Sequence, residues 1–296
     1  MVVSVDASFV AYLPPPRPNQ THKGDFGRVA LLCGSTGYTG AARLAAEGCL
    51  RSGAGLIELG VPRSIYPILA AACPPEVMCR PLPDDGAGRL SYDALPDILS
   101  MLDRCDAALA GPGLGRSASL DKLVRCIADR RPAPLVLDAD GLGALAGHAP
   151  AHGTAPLLLT PHDGEFRKLG GTDSQPPNRA LAAIILAQQL DAVVVRKGHV
   201  TLTVSPDGAV YANTTGNPGM AKGGSGDLLA GFLAGLIAQK AKSPELWHSV
   251  DWAALAACAV YWHGRAGDLC ARVHGQYGMS VTDIAGKLPE AMNPEV

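Results

Sequence analysis

A single carboxylate set among glycines opens an apolar run: Gly223–Asp227, GGSGD, is followed at once by LLAGFLAGLIAQ. Glycines at the start of a helix present unpaired backbone N–H groups and the positive end of the helix dipole, and they let that backbone approach an anion. Phosphate binding is the chemistry that suits them, with Asp227 placed to take a proton. The plainer alternative is a tight turn with Asp227 as helix N-cap; capping needs one Asp or Ser, not this density of glycine. No lysine completes the GxxxxGK[ST] of a Walker A loop.

Five more polar segments follow short apolar runs. GSTGYTG places Gly34, Gly37 and Gly40 in a GxxGxxG spacing. Glu58 then stands where a ribose-binding acid would, but the spacing is not the GxGxxG of a dinucleotide-binding fold. The loop is a tight strand-to-helix turn or a wall of a site. GPGLG, Gly111–Gly115, reads first as a turn. In LDADG, Asp138 and Asp140 suit a metal–phosphate complex reached through water, or Asp140 caps a short helix. TPHDGEF offers His162 and Glu165 in a loop, and KGH, Lys197–His199, offers a lysine that meets a nucleotide or stays solvated.

The elements that must position these residues alternate. Strands are predicted at Val29–Cys33, Leu56–Val61, Val77–Arg80, Ala107–Ala110, Leu135–Leu137, Leu157–Thr160 and Ala192–Arg196. Helices are predicted at Gly40–Ser52, Ser64–Ala72, Ser91–Leu102, Ala118–Arg130, Arg179–Leu190, Asp227–Gln239 and Trp252–Cys270. Val200–Val204 and Ala209–Ala212 flank SPDG and read as a hairpin. Such alternation argues for an α/β fold, a mostly parallel central sheet with helices on both faces, whose carboxyl edge gathers the polar loops. Ala230, Gly231, Ala234, Gly235 and Ala238 are expected to bring the helix after GGSGD close to the sheet.

Composition narrows the function. With 296 residues, 47% hydrophobic, 18% charged and 35 glycines, the chain reads as a compact enzyme rather than a disordered or coiled-coil protein. A net charge of −2 without a basic stripe argues against nucleic acid. The longest apolar runs fall well short of the ~20 residues of a membrane span. Eight scattered cysteines with no CxxC pair read as core thiols in a reducing compartment, with neither zinc nor a disulfide framework indicated. His148 and His152 form an HxxxH pair, but Pro150 between them argues against a metal site. Residues 1–20 read as a lead-in with an extended Pro14–Pro18 segment, a poor signal peptide, and residues 21–296 as a single domain.

The segments HKGDFGRVALLCGSTGYTGAARLAAEGCLRSGAGL, GPGLG, LTPHDGEF, VVVRKG and NTTGNPGMAKGGSGDLLAGFLAGLIAQ together resemble the ADP-dependent NAD(P)H-hydrate dehydratase family, in order and spacing, from about Thr21 to the chain end. The resemblance implies a ribokinase-like fold and dehydration of the S-epimer of NADH or NADPH hydrate with ADP as co-substrate and Mg²⁺, releasing AMP and phosphate. It implies a cytoplasmic homo-oligomer, a tetramer, partnered in its pathway by a separate epimerase, for which no extra domain fits in the chain. By motif, Ala41, Gly113, His162 and Asp227 match hydrate contacts, with Asp227 as catalytic base. Lys197, Gly198, His199, Val200, Thr201 and Gly226 match nucleotide contacts, and Gly223, Gly224 and Ser225 join them as the phosphate-holding loop. Glu165 and Asp138 are candidates to hold Mg²⁺ indirectly; no direct metal ligand is singled out. Ser225 stands where Thr is usual; Asp163, where Pro is usual, and Arg196 are less typical and bear on ligand preference. A kinase of a small alcohol such as a vitamin precursor and a non-catalytic adenine-nucleotide sensor are the rival readings.

Overall fold

Seven short apolar strands lie side by side in parallel because both of their faces are covered. In a computed structural model, which describes residues 2–151, 155–172, 178–247 and 250–293, the strands are β1 (Val2–Val5), β2 (Arg28–Leu32), β3 (Leu56–Pro62), β4 (Val77–Leu82), β5 (Ala107–Ala110), β6 (Leu135–Leu137), β7 (Leu157–Leu159), β8 (Val193–Arg196), β9 (Thr201–Val204) and β10 (Val210–Asn213). They form one sheet in the order β1-β10-β9-β8-β7-β6-β5-β2-β3-β4. From β4 across to β8 every pairing is parallel; β9 is antiparallel to both its neighbours. The expected hairpin is present, closed by Ser205 N–H to the Ala209 carbonyl at 3.1 Å and by Gly208 at φ 93°.

The helices are α1 (Thr39–Arg51), α2 (Tyr66–Ala72), α3 (Leu95–Leu102), α4 (Ala118–Arg130), α5 (Asp140–Ala144), α6 (Asp163–Lys168), α7 (Arg179–Leu190), α8 (Ser225–Lys242), α9 (Trp252–Gly278) and α10 (Val281–Met292). Alternate residues of β2 divide the core. Val29 and Leu31 join α1, α2, α8, α9 and α10 in one buried cluster; Ala30 and Leu32 join α3 to α7 in the other. The sheet with helices on both faces is as the sequence predicts.

Four differences have local causes. Residues 2–5 are not merely a lead-in: they pair in parallel with β10, supplying an edge strand. α8 begins at Ser225, two residues before the predicted start, because Gly224 at φ 96° takes the N-cap position. α9 continues past the apolar run, with Gly275 non-helical at φ 68°, and ends at Gly278 rather than Cys270. The small residues of α8 serve α1 as well as the sheet. A Cβ on Gly231 would run into the Ala45 carbonyl, one on Gly48 into that of Leu228, and one on Gly235 into the Ser52 hydroxyl. Backbone-to-backbone approach of two helices, not helix-to-sheet distance, is what requires these glycines.

Candidate active site

β2 and β5 are neighbours, yet the chain leaves β2 toward one edge of the sheet and β5 toward the other. A crevice must open between their carboxyl ends, which is where open α/β sheets bind ligands. The two loops there are stitched together: Gly34 N–H donates to the Pro112 carbonyl at 2.8 Å and the Ser35 hydroxyl to that of Gly113 at 2.7 Å. Gly113, at φ 62°, is left-handed, and a Cβ there would lie 2.8 Å from the Cβ atoms of both Ala41 and Tyr38. Ala41 and Gly113, distant in sequence, thus face each other across the crevice.

The next two strands deliver a buried ion pair. Asp138, 1% exposed, follows β6 and accepts from the Thr160 hydroxyl and from Lys197 Nζ, both at 2.7 Å. Lys197 follows β8 and is held there by its N–H to the Pro161 carbonyl at 2.8 Å. Burial alone would lower the lysine's pKa, but the charges of Asp138, Glu165 and Asp227 outweigh it and leave it above the ordinary 10.5. Ala139, between the two aspartates, is held at φ 49°, a conformation costly for a residue with a Cβ. Asp140 does not cap the short helix; it is the first residue of α5, and its Oδ2 accepts the Gly115 N–H at 2.8 Å.

His162 is itself a helix cap. Its Nδ1 accepts from the N–H groups of Gly164 at 2.9 Å and Glu165 at 3.2 Å, while Glu165 Oε2 accepts the His162 N–H at 2.8 Å. Nδ1 as acceptor leaves Nε2 to carry the hydrogen, and Nε2 lies 3.4 Å from Glu165 Oε1.

GGSGD closes the site. Gly226 passes so near the ion pair that a Cβ would sit 3.2 Å from Lys197 Nζ. Asp227 is the third residue of α8, not its cap, and the N–H groups of Gly226 and Asp227 find no backbone acceptor among the described residues. The Gly223 and Gly224 N–H groups likewise find no backbone acceptor among the described residues; Gly223 is exposed, and Gly224 packs against Leu44. No hydrogen bond to the Asp227 carboxylate is found among the described residues. Burial, then the charges of Asp138, Asp140 and Glu165, push its pKa up to about 6 against the pull of Lys197.

Two cavities flank this acidic cluster. One, of about 720 Å³, is lined by His162, Lys197, Gly198, His199, Thr201, Ser225 and Gly226 among others. Val200, Gly223 and Gly224, expected at the nucleotide, are not on its wall; the Val200 carbonyl accepts from Arg179 Nη1 at 2.5 Å instead. The other, of about 480 Å³, is lined by residues of the loops after β2 and β5 with Arg89, Arg116 and Asp140. The larger cavity also has walls that strand-end motifs do not reveal: Asn213, Thr215, Asn217 and, from α9, His263 and Gly264. Asp268 of α9 holds that loop through the Gly216 N–H at 2.9 Å and Asn217 Nδ2 at 3.0 Å. His263 is 7% exposed and its pKa is pushed down to about 4, by burial first and then by Lys197, so it is neutral. The polar residues in HGRAGD, inside an otherwise apolar helix, were the available signal for this wall.

The two residues less typical of the family pattern prove to be partners. Arg196, 2% exposed, donates from Nε to Asp163 Oδ1 at 2.7 Å and lies over the Phe166 ring at 4.1 Å. Burial would raise the Asp163 carboxyl, but the bond to Arg196 and the charges of Arg179 and Arg196 hold it below its ordinary value. Arg196 and Asp163 bond to each other, and neither lines these two cavities. His148 pairs with Asp129 at 3.1 Å, and its predicted HxxxH partner His152 lies outside the described residues. All eight cysteines are free thiols.

The family model for NAD(P)H-hydrate dehydratase matches residues 29–290. A bifunctional NAD(P)H-hydrate repair enzyme of Moorella thermoacetica is 43% identical over 93% of this chain and 51% of its own length. The chain spans about half the length of the first curated relatives it matches. An ADP-dependent (S)-NAD(P)H-hydrate dehydratase of Xanthomonas campestris is 34% identical over 97% of this chain and 95% of its own. Among solved structures, an ADP/ATP-dependent NAD(P)H-hydrate dehydratase from Bacillus subtilis, co-crystallized with ATP/Mg²⁺, superposes with a TM-score of 0.82 at 30% identity, covering 97% of this chain and 96% of its own. A ribokinase-like superfamily protein from Enterococcus faecalis superposes with a TM-score of 0.80 at 28% identity, covering 98% and 95%, and the sheet described above is of that kind.

Proposed function

Because this chain belongs to the NAD(P)H-hydrate dehydratase family, we propose that it dehydrates the S-epimer of NADH or NADPH hydrate at the expense of ADP, restoring the reduced nicotinamide and releasing AMP and phosphate. The observation that carries this reading is Asp227: a carboxylate with no hydrogen bond found among the described residues, of pKa about 6, whose charge is felt both by Lys197 of the larger cavity and by Asp140 of the smaller one.

Hydroxide is a poor leaving group at neutral pH and phosphate a good one. Asp227 takes the proton of the hydrate hydroxyl as that oxygen attacks the β-phosphorus of ADP; the new O–P bond forms as the bond to AMP breaks. General-base help of this kind is worth ~10²–10⁴-fold. The Gly226 and Asp227 N–H groups face the moving phosphoryl group, and one such donor contributes about 2.7–4 kcal/mol. The ring nitrogen then expels phosphate by breaking the C–O bond, and the neighbouring ring carbon gives up a proton to restore the double bond. Phosphoryl transfer asks mainly for positioning and electrostatics, and a glycine turn fixed on a buried helix supplies both.

Mg²⁺ belongs to the proposal, and the donor set fits a hard cation. Asp138 Oδ1 is taken by Lys197 and Thr160, and no hydrogen bond to its Oδ2 is found among the described residues. Asp138 would hold the ion through water. Glu165 is dropped from that role: its Oε2 accepts the His162 N–H and its Oε1 lies 3.4 Å from His162 Nε2. When bound, the ion would neutralise charge on the ADP phosphates.

Adding ADP to folded protein and NADH hydrate should bring back NADH absorbance with equimolar phosphate. No return with either ADP or ATP would overturn the reading, and a stable phosphoester in place of free phosphate would make the protein a kinase. The proposal includes a cytoplasmic homotetramer, which light scattering checks, and leaves epimerisation of the hydrate to a separate enzyme. No helix among the described residues is long and apolar enough to cross a membrane.

A further inference from the structure

If ADP fills the larger cavity and the reacting hydroxyl faces Asp227, the rest of a dinucleotide hydrate has to leave the reaction centre by another way. The smaller cavity, about 480 Å³, starts from the same acidic cluster. One part of its lining offers oxygen: the hydroxyls of Ser35, which is buried, and of Thr36, which is exposed, and the half-buried Asp140 carboxylate. The rest carries two guanidiniums, Arg89 half-buried and Arg116 exposed, with Tyr38 59% exposed beside them.

The two arginines are held in place rather than free on the surface. Arg89 donates from Nε to Asp85 Oδ2 at 2.8 Å and from Nη1 to the Arg116 carbonyl at 2.9 Å. Arg116 Nη2 reaches Asp121 Oδ2 at 3.3 Å. Arg89 also packs along Gly115, where a Cβ would lie 3.1 Å from its Cδ. Each arginine is therefore oriented by one acid, and Arg89 Nη2 and Arg116 Nη1 keep donors without an acceptor among the described residues. Asp140 would repel a phosphate set against it. Its side of the cavity suits hydroxyls, which donate to a carboxylate, and the arginine side suits a polyanion.

We propose that the smaller cavity holds the outgoing half of the dinucleotide hydrate, Arg89 and Arg116 binding its pyrophosphate while Asp140 accepts from the ribose hydroxyls next to it. This rests on the function proposed above. It makes the site selective for the intact dinucleotide over smaller nicotinamide hydrates.

The experiment compares kcat/KM for NADH hydrate with kcat/KM for the hydrate of dihydronicotinamide riboside, which has no phosphate. Losing charge-assisted bonds from two arginines should lower the ratio of these constants by about ten-fold or more in R89Q/R116Q. NADPH hydrate should lose as much as NADH hydrate, because the pyrophosphate is common to both. An unchanged ratio overturns the proposal, and so does a loss confined to NADPH hydrate, which would assign the arginines to the 2′-phosphate. Arg116→Gln alone, on a side chain 48% exposed, carries the test if the double variant does not fold. Calorimetry with NAD⁺ and AMP separates the two readings. Dinucleotide binding that the variant loses, in a wild type without turnover, overturns the function and supports the subsite. Turnover with an unchanged ratio does the reverse, and a wild type that neither binds nor turns over defeats both.

Discussion

Replacing Asp227 by Asn keeps the side-chain shape and removes its charge, which separates what the carboxylate does for catalysis from what it costs the fold. Its pKa rises from 3.8 to about 6, with burial as the first cause and the Asp138 charge next. A rise of roughly two units corresponds to about 3 kcal/mol against the ionised folded state. Asp227 is only partly buried, and solvent screening reduces that to about 1–2 kcal/mol. The sign follows from the direction. A raised carboxyl pKa means the folded state prefers the proton, so stability is lost as pH rises through about 6 and is fully present below 3.8. Asp227→Asn should therefore match the wild type near pH 4 and be more stable at pH 8. At roughly 2–4 °C per kcal/mol the melting temperature should rise by a few degrees. Turnover should fall ~10²-fold or more, and the wild-type rate should drop below pH 6 as the base is protonated. Calorimetric melts of both proteins at pH 4, 6 and 8, with turnover on the same samples, make the test. A variant less stable at pH 8, or a stability gap that ignores pH, would refute the electrostatic argument. Near-normal turnover would remove Asp227 as the base.

Lys197→Met would leave Asp138, 1% exposed, as a buried charge without its cation; a loss of about 3 kcal/mol in urea melts is expected, and Asp138→Asn in the same chain should restore part of it. Gly231→Ala forces a methyl into the Ala45 carbonyl and should cost about 1–3 kcal/mol, whereas Gly286→Ala, in α10 with nothing within 4 Å of the new carbon, should gain up to about 1 kcal/mol; chemical denaturation of the pair checks both signs. Asp163→Ala should destabilise by stranding Arg196, and in a double-mutant cycle Arg196→Met should recover about 1–2 kcal/mol of that loss. Equal and additive effects would show the pair to be uncoupled.

Much of the fold lay in short-range pattern. Ala107–Ala110, Leu135–Leu137, Ala118–Arg130 and Arg179–Leu190 occupy the spans expected from local composition, because strands buried on both faces and helices with one apolar face write their period into neighbouring residues. The glycine loops likewise announced where backbone conformations unusual for side chains were needed. β1 escaped because nothing in VVSV says that its partner is β10, some two hundred residues away.

The sequence by itself singled out residue types suited to chemistry: the acid after the glycines, the lysine after a strand, the histidine in a loop after another. These are choices of residue type at the ends of elements, and local pattern places them. Tertiary structure alone decided how they behave. Lys197 is 59 positions from the aspartate that binds it, and Asp227 owes its raised pKa to burial and to charges from the segments that follow β6 and β7. Only packing brought Arg89 and Arg116 to one cavity wall, and Arg196 to Asp163. The physical reason is range. Backbone preference acts over a few residues, whereas burial and Coulomb interaction depend on whatever the fold places within a few ångströms, regardless of distance along the chain.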